Sequence, residues 1–259
     1  MFKSPIAPSI ALILVAFGLA STSPAAAEER PDAFVVYGGF DAAPEALYIY
    51  QGLLVSLNRD LGKDGLMLRF SGGLAAYQYA LEDVTGGEVN GNLWQVDLML
   101  GYQVVRGPVT TALYVGVDFQ DAQLTPDDPS SEVRGEEVGA KVAGSVFLSD
   151  DNLPYEAMLL GQYSTAFETY YAQLRVGLEL CDKLFVGPEG AVIGATGYDA
   201  QRLGGYAKYT FDLTPDIPLS LTLSGGHQFV SDSEDGGGTL SGPGGGEGTY
   251  GAIGFATVF

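Results

Sequence analysis

From Trp94 to Val104 the chain repeats every two residues. Trp94, Val96, Leu98, Leu100, Tyr102 and Val104 occupy one parity, and Gln95, Asp97, Met99, Gly101 and Gln103 the other. Successive side chains of a β-strand point to opposite faces, so this segment has one wholly apolar face and one small or polar face. An amphipathic helix would bring its apolar residues back every three or four positions instead. The apolar face carries an aromatic residue near each end. In a tilted membrane strand such residues fall at the two interfaces, with the apolar run between them in hydrocarbon. The other parity then faces a lumen.

The same pattern recurs. Val109, Thr111, Leu113, Val115, Val117 and Phe119 alternate with Thr110, Ala112, Tyr114, Gly116 and Asp118. The stretches starting at Val138, Tyr170 and Leu219 follow suit. A β-sandwich also alternates, but its outward face is wet and charged while its inner face packs. Here the less apolar parity is rich in Gly, Ala, Ser and Tyr, which suits a narrow lumen. The pattern predicts strands near 33–40, 46–58, 64–80, 89–105, 108–120, 134–149, 154–164, 168–181, 183–195, 199–213, 217–230 and 247–259. The expected fold is therefore all-β, an antiparallel transmembrane barrel of about twelve strands. Ten or fourteen stay open, because the first strand and the split near Cys181-Asp182 carry the weakest pattern. Bacterial barrels of this kind have even strand numbers, short periplasmic turns and longer external loops. With both termini periplasmic, the tight links at Arg106-Gly107-Pro108, Asp182 and Thr214-Pro215-Asp216 fall inside. The long links Leu124–Arg134 and Ser231–Gly246 fall outside.

The ends of the chain point the same way. Lys3, the apolar stretch Ile6–Ala20 and the small residues Ala25-Ala26-Ala27 read as a signal peptide over residues 1–27, leaving 28–259 as one barrel domain in the outer membrane. At the other end Phe259, Thr257, Phe255 and Ile253 share a parity. A last strand ending on Phe in this way resembles the signal read by the barrel assembly machinery, with Phe255 and Phe259 as its anchors. Cys181 is the only cysteine, so no intrachain disulfide forms. The 32 acidic against 12 basic side chains exclude a general nucleic-acid partner, which needs a basic surface. The remaining partners are outer-membrane lipid and lipopolysaccharide.

The luminal parity holds Arg69, Asp97, Asp118, Glu137, Lys141, Arg175, Glu179, Glu189, Arg202 and Lys208. Unpaired charges are costly in a low-dielectric interior, so ion pairs across the lumen are expected. Tyr77, Tyr79, Tyr114, Tyr171 and Tyr206 share that parity, either as packing residues or as platforms for sugar rings. The lumen-lining candidates are thus Arg69, Tyr77, Asp97, Tyr114, Lys141, Tyr171, Arg175, Glu189, Arg202 and Tyr206. Barrels of about eight strands are filled and those of about sixteen hold water, so a narrow or partly occluded lumen follows here.

Signals for catalysis are weak. His227, the only histidine, falls on the lipid-facing parity with Leu219, Leu221 and Leu223, and the adjoining strands offer it Thr249, Gly251 and Leu203 but no serine. A barrel hydrolase needs a nucleophile within hydrogen-bond reach of its base. The acidic pairs Asp127-Asp128 and Asp232 to Asp235 lie in expected external loops, as a solvated surface or a cation-bridged contact with lipopolysaccharide. No DxDxDG calcium loop is present, and the Gly-rich stretch 236–246 has no Gly-Lys-Ser/Thr, so no cofactor or metal is implied.

Several segments, in order, resemble the BcsS-type cellulose biosynthesis proteins of alphaproteobacteria. They are Tyr37-Gly38-Gly39-Phe40-Asp41, Lys63-Asp64-Gly65 with Leu68-Arg69, Asp97-Leu98-Met99-Leu100-Gly101-Tyr102-Gln103 and Tyr114-Val115-Gly116-Val117. Tyr163-Ser164-Thr165-Ala166 with Tyr170, Gly187-Pro188-Glu189 and Tyr198 to Gly204 follow. The resemblance implies an outer-membrane accessory of a cellulose synthase system, with export components or cellulose itself as partners and no defined catalytic site. A small-solute channel and a lipid A or phospholipid hydrolase are the alternatives.

Overall fold

A computed structural model describes residues 33–80, 87–150, 153–214, 217–231 and 244–259. The expected signal segment 1–27, Asp216 and most of the link after Ser231 lie outside the described residues. The described chain forms one closed antiparallel barrel in which each strand pairs with its neighbours in sequence and the last pairs with the first. The strands are β1 (Phe34–Ala43), β2 (Ala46–Ser56), β3 (Gly65–Ala80), β4 (Glu88–Arg106), β5 (Val109–Thr125) and β6 (Gly135–Leu148). β7 (Tyr155–Ser164), β8 (Tyr170–Cys181), β9 (Leu184–Ala195), β10 (Tyr198–Thr214), β11 (Ile217–Val230) and β12 (Gly248–Val258) complete it.

Twelve strands fall where the alternation predicts, and the split at Cys181 is a real turn through Asp182 and Lys183. Two strands run well past their predicted ends. β1 runs to Ala43, and β5 continues five residues past Gln120 to Thr125. In this extension of β5 the apolar parity gives way to Asp121 and Gln123, which hides the strand from a hydropathy reading. Trp94 Nε1 on β4 donates to Asp121 Oδ2 at 3.0 Å, so the change from apolar to polar coincides with the level of an aromatic residue.

The outward face is apolar: Leu98 is 50% exposed, Leu113 69%, Val138 70% and Leu203 65%. So large a continuous apolar surface is stable only against lipid or another apolar partner. Aromatic contacts mark both rims. Trp94 lies on Phe119 with ring centres 4.9 Å apart at one end, and Tyr209 meets Phe211 edge-on at 4.6 Å at the other. Closure leaves no free sheet edge, so the ladder satisfies the backbone polar groups that hydrocarbon cannot. At the seam Gly38 faces Phe255 and Val35 faces Val258, and Phe259 N donates to Phe34 O at 2.9 Å.

The end that holds the start of β1 and the last residue, Phe259, also holds Gly107-Pro108 and Asp182-Lys183, which are tight turns. The long links after β5 and after β11 lie at the opposite end, together with two-residue turns at Pro44-Glu45 and Thr196-Gly197. We refer to these as the terminal end and the loop end.

Candidate functional site in the barrel lumen

Inward-facing tyrosines repeatedly sit beside glycines. Tyr37 faces Gly52, Tyr77 faces Gly91 and Tyr114 faces Gly101 on the neighbouring strands. The rings lie over the bare backbone. A Cβ on Gly52 would come within 2.2 Å of the Tyr37 ring, and one on Gly91 within 2.2 Å of the Tyr77 ring. Glycine thus allows a large ring to lie flat on the wall, which fills the interior with aromatic surface. Tyr77, Tyr114 and Tyr206 are buried, and Tyr171 is half-buried where β8 faces Gln162 and Ile193.

Charged side chains bridge strands that are far apart around the wall. Arg202 on β10 makes a two-pronged contact with Asp41 on β1 at 2.6 and 2.9 Å, and its Nε donates to Gln228 Oε1 at 2.7 Å. Its guanidinium also lies 4.7 Å from the centre of the Tyr250 ring. Glu189 on β9 pairs with Arg175 on β8 and accepts from Tyr250 Oη on β12 at 2.9 Å and from Gln173 Nε2 at 3.0 Å. Arg175 Nη2 reaches Ser224 Oγ on β11 at 2.8 Å. Glu156 on β7 pairs with Lys208 on β10 and accepts from Tyr206 Oη at 3.0 Å. Arg69 on β3 donates to Gln162 Oε1 on β7 at 2.9 Å and to Tyr37 Oη at 3.2 Å. Lys141 on β6 contacts Asp97 at 2.8 Å and Asp118 at 3.6 Å. Ties between β3 and β7, β7 and β10, and β10 and β1 run through the interior, not along one hairpin.

At each end one link folds inward. At the loop end the β7–β8 link turns inward in a short 3-10 turn, Ala166–Glu168, and packs Phe167 against Tyr77, Leu93, Ala122, Val133 and Ala195. Phe167 holds φ at +48°, a conformation that non-glycine residues adopt only when their surroundings enforce it. Glu137 Oε2 accepts its amide at 3.0 Å, and Thr196 N donates to its carbonyl at 2.8 Å. Nearby, Gln228 Nε2 donates to Gly244 O and Gly246 O at 2.9 and 2.8 Å, and Tyr198 Oη donates to Gly245 O at 2.7 Å. At the terminal end the β2–β3 link packs Leu61 onto a cluster of Met67, Met99, Ala112, Tyr114 and Ala143. Gln103 Nε2 fixes it by donating to Leu61 O at 2.7 Å.

The periodicity missed several of these residues. Asp41 and Tyr37 lie on β1 and Glu156 on β7, where neither parity is uniformly apolar, so no face stood out, whereas Tyr198 and Tyr250 lie on the inward parities of β10 and β12 and were not singled out there. The alternation of Tyr with Gly along β1, β2 and β12 was the available signal. Phe167 and Leu61 had none, being apolar residues in links. Glu179 sits at the terminal rim beside the bulge in β8, exposed, and accepts the Lys183 amide at 3.1 Å. It is a turn residue and not a luminal one.

His227 is exposed on the outer wall, with its ring 4.7 Å from that of Phe229 and with Leu203 and Thr249 opposite it. Among the described residues no group of three or more His, Cys, Asp or Glu side chains is placed to hold a metal.

A closed barrel with an apolar outer wall, aromatic rims and a polar tied interior is a transmembrane β-barrel of the bacterial outer-membrane type. Within that class, the family of the cellulose biosynthesis protein BcsS matches residues 35–259, and the chain belongs to it. Among solved structures it is similar to the KdgM porin in complex with disordered oligogalacturonate, at 10% identity over 87% of this chain and 99% of that one, with a TM-score of 0.41. LpxR from Salmonella typhimurium matches at 13% identity over 87% and 99%, with a TM-score of 0.44. Outer membrane phospholipase A from Escherichia coli matches at 12% over 87% and 92%, with a TM-score of 0.40. No protein of curated function matches the chain by sequence.

Proposed function

We propose that the chain is a non-enzymatic outer-membrane accessory of bacterial cellulose biosynthesis, acting as a closed scaffold for the export machinery and not as the conduit for the polymer. The observation that carries this reading is the set of ties across the lumen, Arg202 to Asp41, Arg69 to Gln162 and Glu156 to Lys208. A glucan chain or a hydrated solute would have to break them together while displacing the aromatic rings between them. Separating partly buried charged groups from their partners leaves them uncompensated, so opening the three ties together is opposed. The assignment of a non-enzymatic role draws on His227, whose neighbours on the outer wall are Phe229, Leu203 and Thr249. The sugar-stacking role considered for the luminal tyrosines is disfavoured, because the Tyr77 and Tyr114 rings cover Gly91 and Gly101 of the wall and the hydroxyls of Tyr79 and Tyr206 are engaged by Asp128 and Glu156.

Deletion of the gene in a cellulose-producing host tests the reading. Extracellular cellulose is expected to fall or change in form while outer-membrane phospholipid and lipid A stay unaltered, and the purified barrel in planar bilayers is expected to show no stable open state. Unchanged cellulose combined with steady ion conductance would place the protein among the diffusion channels. Loss of lipid deacylation in His227→Ala, with the barrel folded, would place it among the enzymes.

A further inference from the structure

Gln51 stands in the middle of β2 on the parity that faces lipid, with Ile49 and Leu53 before and after it on that face. Phe40 on β1 and Phe70 and Leu74 on β3 surround it, and all three are exposed on the outer wall. The Gln51 side chain is exposed and makes no hydrogen bond to any described residue. Strand pairing fixes its depth. The row of paired residues through Gln51 leads one way through Gly72 and Val96 to Phe119 on β5, at the loop-end rim. The other way it leads through Gly38, Phe255 and Leu221 to Tyr209 on β10, at the terminal-end rim. Barrel strands are tilted, so such a row climbs steadily from one rim to the other, and Gln51 lies near its midpoint. The apolar band of these barrels is about 25 Å tall, and a side chain at its middle is too short to reach either interface. An amide has two donors and an acceptor, and hydrocarbon satisfies none of them.

The wall beside Gln51 has a matching gap. Both residues paired with it are glycines, Gly38 on β1 and Gly72 on β3. The first is covered, since a Cβ on Gly38 would lie 2.9 Å from the Phe255 ring. The second is open. A Cβ on Gly72 would meet only the Gln95 carbonyl oxygen at 3.3 Å and Val96 Cγ1 at 3.4 Å, and no side chain of β2 lies over it. A projecting amide therefore stands next to a depression one residue wide.

We infer that the outer face of β1 to β3 docks a second copy of this chain within the membrane, with the Gln51 amides of the two copies donating to and accepting from each other. A primary amide carries donor and acceptor together, so its own copy complements it, whereas an acyl chain supplies neither. A twofold axis along the membrane normal brings Gln51 to Gln51 at equal depth and keeps both loop ends on one side. In such a pair residue i meets j and j meets i, so the Gln51 stem of each copy lies over Gly72 of the other. Close approach at small residues and amide hydrogen bonds are the forces that join proteins in lipid, where apolar burial supplies little.

Photobleaching steps per particle, counted for the purified barrel in phosphatidylcholine vesicles over a series of protein densities, test this. The fluorophore goes on Cys181, the single cysteine, which is exposed on β8 and lies across the barrel from β2. Wild type is expected to pass from one step to two as density rises, and to stop at two. Gln51→Leu keeps the wall apolar, and heat-modifiable mobility checks that it folds. Its transition is expected at about tenfold higher density, the loss of one hydrogen-bonded amide pair in lipid. Gly72→Leu fills the depression and leaves the amide in place; it is expected to shift the transition in the same direction and serves if Gln51→Leu does not fold. One step at every density would overturn the proposal and leave the face to lipid or to a different membrane protein. Counts that continue past two would overturn the twofold pair in favour of a head-to-tail ring. A wild-type transition in the folded variants would show that the copies meet elsewhere and overturn it as well.

Discussion

Tyr114 and Gly101 illustrate what a single luminal position contributes. The ring is buried where β5 meets β4, and a Cβ on Gly101 would lie 2.3 Å from the ring and 2.5 Å from the carbonyl oxygen of Leu113. The ring is packed in one buried cluster with Met67 and Met99, and the carbonyl belongs to the wall itself. Gly101→Ala is therefore expected to destabilise the barrel by about 1–3 kcal/mol, the usual cost of overpacking. A urea titration followed by heat-modifiable mobility on gels measures it, and Gly161→Ala does not share this clash, since the atoms nearest its Cβ lie 3.8 and 4.0 Å away. Asp128 is a second such position, in the β5–β6 link. Burial pushes its carboxyl up, but bonds from the Ser130 hydroxyl, the Tyr79 hydroxyl and the Ser130 and Ser131 amides outweigh this and hold it below the usual carboxylate range. A depressed folded value means that the group stabilises the closed loop above its unfolded value, near pH 4, and that this contribution is lost as pH falls through the folded value. Proteolysis of the link 126–134 is expected to stay slow at pH 5 and to accelerate on further acidification. In Asp128→Asn it is expected to be faster at pH 7 and flat in pH; wild-type-like protection of that variant would contradict the assignment.

At the scale of the element, β12 has a task that the other strands do not share, because its pairing with β1 closes the sheet. The Phe255 side chain crosses the seam to lie over Gly38, and the Phe259 ring stacks on Phe34 at 4.9 Å. Both contacts use aromatic residues on the parity that faces lipid, so they extend the apolar wall across the seam. Changing Phe255 and Phe259 together to serine is expected to slow insertion and to leave the chain in the periplasm or degraded. Fractionation with heat-modifiability of the folded form reads this directly, and normal levels of folded barrel in the outer membrane would refute a role in assembly. The alternation made this strand legible along its whole length. β5 was legible only as far as Gln120, because past the level of Trp94 the outward residues turn polar and periodicity no longer separates the faces.

For the whole molecule, orientation is the property most exposed to test. Long links lie at the loop end and the start of β1 and end of β12 at the other, so the loop end is expected outside the cell by the general rule for these barrels. A protease-site tag within Asp127–Pro129 or Gly236–Gly238 is expected to be cut on intact cells, whereas one at Asp216 is expected to be protected. The reverse pattern would invert the barrel. The same orientation sets the Phe167 plug and the segment 244–246 at the outer mouth and the Leu61 plug at the periplasmic one.

The sequence by itself determined a barrel of about twelve alternating strands and, for most of them, which face meets lipid. Those properties follow from a period of two, which is written within a few consecutive residues and needs no knowledge of the rest of the chain. Family membership was likewise visible in short motifs spread in order along it. Only the closed structure decided what the interior does. Arg202 and Asp41 are 161 residues apart and meet because closure brings β1 near β10. The partners of Glu156 and Glu189 follow from register and curvature in the same way, among several charges of equal sign that no local pattern tells apart. Phe167 and Leu61 turn inward because each finds a packed aromatic or Met-lined cluster waiting there, and a burial that depends on residues from several distant strands leaves no trace in the link that supplies it.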